Sequence, residues 1–419
     1  MLKLKYHSKR FLFFAIILVS MGITVLFMGM LEGARGEMPA AISKEINVAL
    51  LYMTLKDVAK DVQALMHEGQ LEASNCKHPM YDTPLKCTVR IPEELNTTEP
   101  DGFYIHVPNE HWTQIFEKRY PNIVHSTTRF QNVSIPAAKI GVTRESPRYY
   151  PEIDDPVYMS RYDLTFSYRL DSSVVLPFTP FDVRTTNSVP PFSARKPRIV
   201  FFNSNCDAPI QRTAFVQALM DAGLPIDSYG KCLNNIQPPP GNGNFDFELK
   251  VRLFQEYRIC VVIENSVARD YVTEKVWDGL KAGCVPIYTG APNFRQDFEP
   301  SNNSVILVDD YFRLENGRIP PHNSLDTGFS FLIGTIMKVL ESEEEFETYQ
   351  TWRRVPFEQL NKGYQNVVMT SSENAYCRLC KSLAERKERI YRQYWRARGY
   401  TISEKRWTKD LLEAVSDNE

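Results

Sequence analysis

The chain has 419 residues, 43% of them hydrophobic, and its 49 Lys and Arg residues nearly balance its 51 Asp and Glu residues. This length exceeds that of one ordinary domain and predicts two domains plus an accessory segment. The net charge of −2 gives no basic footprint for nucleic acid. We therefore expect no nucleic-acid partner.

The N-terminus combines a basic segment with a long apolar one. Four basic residues within residues 1–10 precede residues 11–31, a run of 21 residues without charge. As a helix this run would be roughly 30 Å long, the thickness of a bilayer core. A basic flank stays cytoplasmic, so the pattern predicts a cytoplasmic tail, a signal anchor and a lumenal body. A cleaved signal peptide is the alternative, although its apolar region is usually only about 7–15 residues long.

Residues 32–74 are predicted to form a stem. Apolar residues recur there with heptad spacing, at Val48, Leu51, Leu55, Val58, Val62 and Leu65. This seam is shorter than a stable coiled coil requires. It predicts a helix packed on its own domain, and a homodimer formed through the stem is the alternative.

The segment 75–190 contains two apolar stretches that each lead into a polar step. Residues 140–143 precede Arg144-Glu145-Ser146-Pro147, and residues 162–172 alternate as a strand does before entering a polar loop. Prolines punctuate residues 177–198, which we interpret as an interdomain linker.

A second α/β domain is predicted from residue 199 to about residue 355. The strand at 198–202 leads to Ser204 and Asn205, and a helix follows from Arg212 until Gly223 stops it.

Residues 258–293 carry the most informative pattern in the chain. The uninterrupted apolar run that follows Arg258, at 259–263, is typical of a parallel strand buried on both faces, and Glu264-Asn265-Ser266 follow it. A helix is predicted over 273–281 and a further strand over 285–288. Open α/β sheets bind ligands at the carboxyl ends of their strands, so these polar residues predict a nucleotide crevice.

This region resembles the donor-site signature of the α1,3/α1,4-fucosyltransferase family, the GDP-fucose-dependent enzymes of glycosyltransferase family 10. The resemblance lies in E-N-S and D-Y-V-T-E-K within residues 264–275, and in A-G-x-V-P-I-x-x-G-A-P-N at 282–293. Residues 145–147 and 164–172 are similar to two further family blocks, E-S-P and L-T-x-S-Y-R-x-D-S. The resemblance implies an α/β fold of the GT-B type. In that fold an acceptor-side Rossmann-like domain (75–190) and a GDP-fucose-binding Rossmann-like domain (199–355) face a cleft.

The resemblance also implies roles for individual residues. Glu145 would be the base that deprotonates the acceptor, whereas a surface glutamate before a proline turn is the alternative. Arg212 and Lys275 would bind the diphosphate, and Glu274 the donor hydroxyls unless it merely caps its helix. The family positions that line the donor correspond here to Tyr168, Ser204, Asn205, Asn265 and Tyr271. No D-x-D follows a predicted strand, so we expect no obligatory metal and no cofactor beyond the donor substrate.

The eight cysteines and three sequons fit an oxidising lumen. The resemblance implies disulfides Cys76–Cys377 and Cys87–Cys380, with the crossed pairing left open, and Cys206 with Cys232 form a third candidate pair. Two cysteines within predicted buried strands, Cys260 and Cys284, are interpreted as free thiols. The candidate glycosylation sites are Asn96, Asn132 and Asn302.

The sequence thus predicts a single-pass type II Golgi membrane protein with a lumenal catalytic part. It would transfer fucose with inversion to a hydroxyl, O3 in our prediction, of N-acetylglucosamine in a glycoprotein glycan. Its C-terminal segment, 356–419, contains a C-x-x-C and ends in a charged tail interpreted as a solvated helix. The alternatives are protein O-fucosylation, transfer from another nucleotide sugar, and a non-catalytic lumenal glycan-binding protein.

Overall fold

A computed structural model of the chain describes eleven stretches of residues: 37–38, 45–51, 71–76, 85–90, 100–106, 110–130, 132–178, 182–185, 189–237, 247–321 and 326–402. The described residues fall into two units. The first comprises those up to Phe103, Tyr120–Ala138 and those from Leu379, and the second comprises Tyr104–Arg119 and Lys139–Arg378. The predicted domain limits of 75–190 and 199–355 stay predictions.

The strands are β1 (Glu37–Met38), β2 (Glu45–Leu51), β3 (Leu71–Cys76), β4 (Leu85–Arg90), β5 (Gly102–His106), β6 (Thr127–Phe130), β7 (Val133–Pro136), β8 (Ala138–Thr143), β9 (Leu164–Ser167), β10 (Val174–Val175), β11 (Lys196–Asn203), β12 (Ile226–Gly230), β13 (Tyr257–Val261), β14 (Val285–Tyr288), β15 (Ile306–Leu307) and β16 (Thr401–Ile402). The α-helices are α1 (Glu110–Arg119), α2 (Pro121–Val124), α3 (Pro156–Met159), α4 (Arg212–Asp221), α5 (Phe247–Gln255), α6 (Glu274–Ala282), α7 (Phe294–Asp297), α8 (Thr327–Glu341), α9 (Glu343–Thr348), α10 (Lys362–Ser372) and α11 (Ala375–Arg396). Short 3-10 helices occupy Pro151–Asp154, Val183–Thr185, Phe192–Ala194, Val308–Asp310, Thr351–Arg353 and Phe357–Gln359.

Among the described residues, no helix is long and apolar enough to cross a membrane. The predicted anchor at residues 11–31 lies outside the residues that the structure describes.

The first unit corrects the prediction of a helical stem. Residues 45–51 form β2, which pairs in parallel with β4, and β4 pairs antiparallel with β3. Val48 and Leu51 therefore lie in a strand, a structure that β-branched residues such as Val48 favour. The remaining four residues of the predicted seam lie outside the described residues. The homodimer formed through the stem stays a prediction. The first two residues of its heptad seam, Val48 and Leu51, no longer support it, because they lie in a strand.

The C-terminal helix α11 is also more than a solvated tail. Leu383, Ala384 and Tyr391 are buried, and Tyr391 packs edge to face on Phe130 of the hairpin β6–β7. Lys387 donates to Asp101 Oδ1 at 2.7 Å in a buried ion pair. The prediction of a helix is confirmed, but the prediction that it is solvated is wrong. The many charged residues of this segment concealed a stripe of apolar residues along one face of the helix.

The second unit contains two sets of parallel strands. The smaller set joins β8 to β9 and β9 to β10, all in parallel. The larger is a five-stranded parallel sheet in the order β12-β11-β13-β14-β15.

Helices cover both faces of the five-stranded sheet. Cys260 of β13 packs in the core that contains α5 and α6, whereas Ile259 and Val261 pack in the core that contains α4 and α8. This burial on both faces is what the uninterrupted apolar run of β13 predicted.

The disulfides confirm two predictions and correct a third. Cys87 is bonded to Cys380 and Cys206 to Cys232, and Cys76 and Cys377 are each disulfide-bonded as well. The interpretation of Cys260 and Cys284 as free thiols is wrong, because they form a disulfide with a Cα–Cα distance of 5.8 Å. Adjacent pairing of β13 with β14, which the sequence pattern did not specify, brings these two cysteines within bonding distance.

Candidate active site

The candidate site begins where the order of the large sheet reverses. The chain leaves β11 for β12 on one side, and β13 then pairs with the other side of β11. A cavity of about 250 Å³ opens at the carboxyl ends of β11 and β13, lined by Phe201, Phe202, Asn203, Ser204, Arg212, Lys250, Phe254, Val261, Val262, Ile263, Glu274 and Lys275. Reversal points of this kind are the usual ligand sites of open α/β sheets.

Arg212, the first residue of α4, is fixed by groups at both strand ends. It is 3% exposed, and its Nη1 donates to the Ile263 carbonyl at 3.0 Å. Its Nη2 donates to Asn203 Oδ1 at 2.6 Å and to the Asn205 carbonyl at 3.3 Å. Burial lowers the pKa of the guanidinium from its ordinary value, although an arginine stays charged in practice. Nε is buried and has no hydrogen-bond partner among the described residues.

Lys275 stands on the first turn of α6 and is held by three oxygens. Its Nζ donates to Thr273 Oγ1 at 2.7 Å and to Glu274 Oε1 at 3.2 Å, and lies 3.4 Å from Glu264 Oε2. Burial disfavours its charge, but the Glu264 and Glu274 carboxylates outweigh burial and raise the pKa of Lys275. The cavity therefore contains a charged ammonium at a helix N-terminus, and both attract an anion.

Glu274 lines the same cavity beside two lysines. Burial raises its pKa, but Lys275 and then Lys250 more than offset this effect and hold the pKa of Glu274 below its ordinary value. The side chain is therefore an ionised acceptor, suited to the hydroxyls of a sugar.

The candidate base, Glu145, follows β8 in an exposed turn that hydrogen bonds connect to the loop after β13. Its backbone N–H donates to Thr143 Oγ1 at 3.1 Å, and the next residue, Ser146, is hydrogen-bonded to Ser266 at 2.6 Å. The Tyr271 hydroxyl lies 3.5 Å from Glu145 Oε2. Partial desolvation raises the pKa of Glu145, although Lys275 and Tyr271 oppose it. A carboxylate with a raised pKa is a stronger proton acceptor.

An aromatic cluster supports Tyr271. The Tyr271 ring packs edge to face on Tyr168, with centroids 5.2 Å apart, and on Phe178 at 6.1 Å. The guanidinium of Arg144 lies 4.5 Å from the Phe178 ring centroid. Phe178 escaped sequence analysis because it stands in the proline-rich stretch that we interpreted as a linker.

Three predicted donor residues carry a buried polar atom without a hydrogen-bond partner among the described residues. These atoms are the Tyr168 hydroxyl, Arg212 Nε and Asn265 Oδ1. Each such atom costs roughly 1–3 kcal/mol of unmade hydrogen bonding. A polar ligand that formed hydrogen bonds with these atoms would recover this free energy. Because all three atoms belong to residues predicted to line the donor, they support the prediction that these residues bind a ligand.

The structure separates the predicted residues that line the cavity from those that do not. Ser204, Arg212, Glu274 and Lys275 line it. Asn205 contributes a backbone carbonyl to Arg212. Tyr257 of β13 is fully buried and donates to Asp227, and neither residue lines the cavity.

Lys250 of α5 is a cavity residue that sequence analysis missed. It forms an ion pair with Asp278 at 3.0 Å and adds a second lysine beside Glu274. The only sequence signal is a lysine next to the apolar residues Leu249, Leu253 and Phe254, a pattern that ordinary amphipathic helices share.

A groove with both polar and apolar lining residues lies beside the turn that carries Glu145. Its volume is about 890 Å³, and its lining includes Arg148, Gln211, Gln217, Asp221, Asn316 and Arg318. Gln211 on this groove directly precedes Arg212 on the cavity, so the start of α4 separates the two spaces.

Within the described ranges, no three His, Cys, Asp or Glu side chains are grouped so that they could hold a metal ion. The expectation of a metal-independent reaction stays a prediction. The candidate glycosylation sites Asn132 and Asn302 are exposed, and Asn96 lies outside the described residues.

The part of the chain that forms the cavity is similar to a known protein family. Residues 192–318, which include the cavity residues Arg212, Glu274 and Lys275, match the family model Glycosyltransferase family 10 (fucosyltransferase) C-term. This segment is therefore similar to the fucosyltransferases of glycosyltransferase family 10. The family resemblance inferred from the sequence is thereby confirmed.

Two kinds of curated relatives match. Over 188 residues the chain is 32% identical to alpha-(1,3)-fucosyltransferase B of Drosophila melanogaster, covering 40% of this chain and 41% of that protein. Over 116 residues it is 40% identical to GDP-fucose protein O-fucosyltransferase 3 of Bos taurus and of Homo sapiens, covering 27% of this chain and 24% of each relative. The matched regions therefore span less than half the length of these relatives.

Two solved structures are also similar to the chain. A crystal structure of alpha1,3-fucosyltransferase with GDP-fucose gives a TM-score of 0.46 at 15% identity, covering 80% of this chain and 91% of that chain. A further crystal structure of alpha1,3-fucosyltransferase gives a TM-score of 0.47 at 15% identity, covering 83% of this chain and 97% of that chain.

Proposed function

We propose that this protein is an inverting fucosyltransferase of the GT-B type that uses GDP-fucose as donor. The observation that carries the proposal is the segment similar to family 10, whose cavity at the sheet reversal brings together Arg212, Lys275 and Glu274. Two cations and a helix N-terminus suit a diphosphate, and the adjacent carboxylate suits the hydroxyls of a sugar.

In the proposed reaction an acceptor hydroxyl attacks the anomeric carbon from the face opposite GDP. The new C–O bond forms as the bond to the β-phosphate oxygen breaks, and the bonding pair leaves with GDP. Glu145 takes the proton of the acceptor hydroxyl, and its raised pKa favours this step. The Lys275 ammonium and the unpartnered Nε–H of Arg212 stabilise the charge that develops on the diphosphate.

The acceptor in this proposal is a hydroxyl, O3 in our prediction, of N-acetylglucosamine in a glycoprotein glycan. The groove lined by Arg148 is a candidate binding site for this acceptor, because the turn from Glu145 to Arg148 connects the candidate base with the groove. Gln, Asn, Asp and Arg side chains offer the donors and acceptors that sugar hydroxyls need.

Protein O-fucosylation is the second candidate. It is favoured by one specific observation, the 40% identity over 116 residues to GDP-fucose protein O-fucosyltransferase 3. The donor chemistry would be the same, and only the hydroxyl that Glu145 deprotonates would differ.

A Golgi location with the catalytic part in the lumen completes the proposal. It is supported by the disulfides, which persist in oxidising compartments, and by the uncharged run at residues 11–31.

The proposal is tested with the full chain in detergent and GDP-fucose labelled in the sugar. The acceptors are N-glycans, lactosamine oligosaccharides and folded protein domains, with linkage analysis of any product. Label on a glycan supports the first candidate, and label on a protein hydroxyl supports the second. No binding of GDP-fucose to folded protein would exclude both.

A further inference from the structure

Glu264 is a fully buried carboxylate that the proposed mechanism does not use. It follows β13, and its backbone N–H donates to the Thr289 carbonyl at 3.1 Å, which fixes the residue at the sheet. Burying a carboxylate away from water is costly unless hydrogen bonds and an opposite charge compensate it. Apolar residues of similar volume are often at least as stable in such positions, so stability alone does not explain this glutamate.

The carboxylate connects the start of α6 to the cavity lysine. Glu264 Oε1 accepts the Thr273 backbone N–H at 2.7 Å, and Oε2 accepts the Thr273 hydroxyl at 2.6 Å. The same hydroxyl accepts Lys275 Nζ at 2.7 Å, and Lys275 Nζ lies 3.4 Å from Glu264 Oε2. Three side chains therefore form a closed ring that orients the ammonium.

The side chain of Thr273 takes part in this ring and does not cap its helix. Thr273 is the N-cap residue of α6. Threonine at this position normally accepts a backbone N–H of the first turn, a contact that contributes about 1 kcal/mol. Here its hydroxyl bridges Glu264 and Lys275 instead.

The backbone makes room for Glu264 specifically. A Cβ on Gly290 would lie 2.5 Å from Glu264 Cγ and 2.8 Å from Glu264 Cβ. Residue 290 must therefore lack a side chain for the glutamate to keep its position.

We propose that Glu264 is a positioning residue that holds the Lys275 ammonium toward the donor diphosphate through Thr273. This inference rests on the proposed function, because Lys275 is taken as a diphosphate ligand. The Glu264 carboxylate contacts Thr273 and Lys275, so we expect its effect on the phosphate part of the donor.

The variant Glu264→Gln tests the inference, because it keeps the size of the side chain and removes its charge. One end of the amide still accepts the Thr273 backbone N–H, whereas its NH₂ faces the Thr273 hydroxyl and the Lys275 ammonium. We expect the affinity for GDP to fall at least tenfold and the affinity for guanosine to change less than twofold. Calorimetry measures GDP binding and ligand-observed NMR measures guanosine binding.

Glu299 supplies a matched control. It is fully buried, accepts the Ser304 backbone N–H at 3.2 Å and hydroxyl at 3.3 Å, and pairs with Arg295 at 3.4 Å. It lines no part of the cavity. Glu299→Gln therefore repeats the loss of a buried charge without the connection to Lys275, and should leave the ratio of GDP to guanosine affinity unchanged.

Two further variants keep the inference testable if Glu264→Gln fails to fold. Thr273→Val removes only the bridging hydroxyl and should show the same selective loss of GDP affinity. In a Lys275→Met background, Thr273→Val should have no further effect on GDP binding.

Equal losses for GDP and guanosine, or the same pattern in Glu264→Gln and Glu299→Gln, would reduce Glu264 to a structural role and overturn the inference. A wild-type protein that binds no GDP would overturn the proposed function instead, and the inference with it.

Discussion

The Tyr271 hydroxyl lies 3.5 Å from Glu145 Oε2, and this contact connects the candidate base to the loop that leads into α6. Tyr271 stands two residues before Thr273, the N-cap of the helix that carries Lys275. The residues proposed for proton removal and for diphosphate binding are therefore connected through the short segment 271–275 of the chain.

Replacement of Glu145 by Gln should abolish transfer and spare donor binding. The amide cannot take a proton, and general-base catalysis is typically worth about 10²–10⁴ in rate. We expect kcat to fall by at least about 100-fold while the GDP dissociation constant changes less than threefold. Glu152, a half-buried glutamate of the following 3-10 helix, provides the control Glu152→Gln. Unaltered turnover in Glu145→Gln would remove Glu145 from the mechanism.

The pH dependence of the reaction should reflect the raised pKa of Glu145. A base acts only when deprotonated, so kcat/KM should rise with pH through that pKa and reach a plateau above it. The Tyr271 hydrogen bond lowers the pKa of Glu145, and Tyr271→Phe should therefore move the acidic limb to higher pH. A limb that stays in place, measured over pH 4–9 with constant ionic strength, would show that another group controls it.

Arg212 should not tolerate lysine. A lysine ammonium cannot contact the Ile263 carbonyl, Asn203 Oδ1 and the Asn205 carbonyl together and still offer a proton to a ligand. We expect Arg212→Lys to lower GDP affinity by about 10–100-fold, or roughly 1.4–2.8 kcal/mol. Arg198→Lys is the control, since Arg198 pairs with Asp227 at a half-exposed position outside the cavity. Equal GDP affinity in Arg212→Lys and the wild type would contradict the role.

The Cys260–Cys284 disulfide should stabilise the sheet that carries the cavity. It closes a sequence separation of 24 residues, for which chain-entropy arguments give roughly 3 kcal/mol. The double variant Cys260→Ala, Cys284→Ala should lose at least that much free energy of unfolding in denaturant titrations. A variant as stable as the wild type would show that the bond contributes nothing.

Substitutions in the groove should change the KM for the acceptor and leave the KM for GDP-fucose unchanged. Arg148→Ala removes a charged donor from the groove and should raise the acceptor KM several-fold with the GDP-fucose KM unchanged. Arg313, an exposed arginine that does not line the groove, gives the control Arg313→Ala. Equal acceptor KM values in the two variants would place the acceptor elsewhere.

The sequence was most informative where local rules decide the structure. Gly283 was predicted to end the helix after Lys281, and it does so with φ of 71°, a conformation that glycine adopts without strain. The apolar run that follows Arg258 in β13 was recognisable because its residues are buried on both faces of the sheet.

The errors arose where distant parts of the chain meet. Strand order brought Cys260 to Cys284, and no periodicity within either segment encodes that order. The positions of residues 48 and 51 are compatible with a heptad repeat and with a strand. Pairing with β4 makes this segment a strand. Lys250 carries no motif, and only the packing of α5 brings it to the cavity.

Transfer of labelled fucose tests the central claim most directly. Detergent-solubilised wild type and Glu145→Gln are incubated with GDP-fucose labelled in the sugar and the panel of glycan and protein acceptors. The account predicts label on one acceptor class with the wild type only, and GDP binding by both proteins. Equal transfer by both proteins would contradict the assignment of the base, and folded wild-type protein that neither binds GDP-fucose nor transfers fucose would contradict the account as a whole.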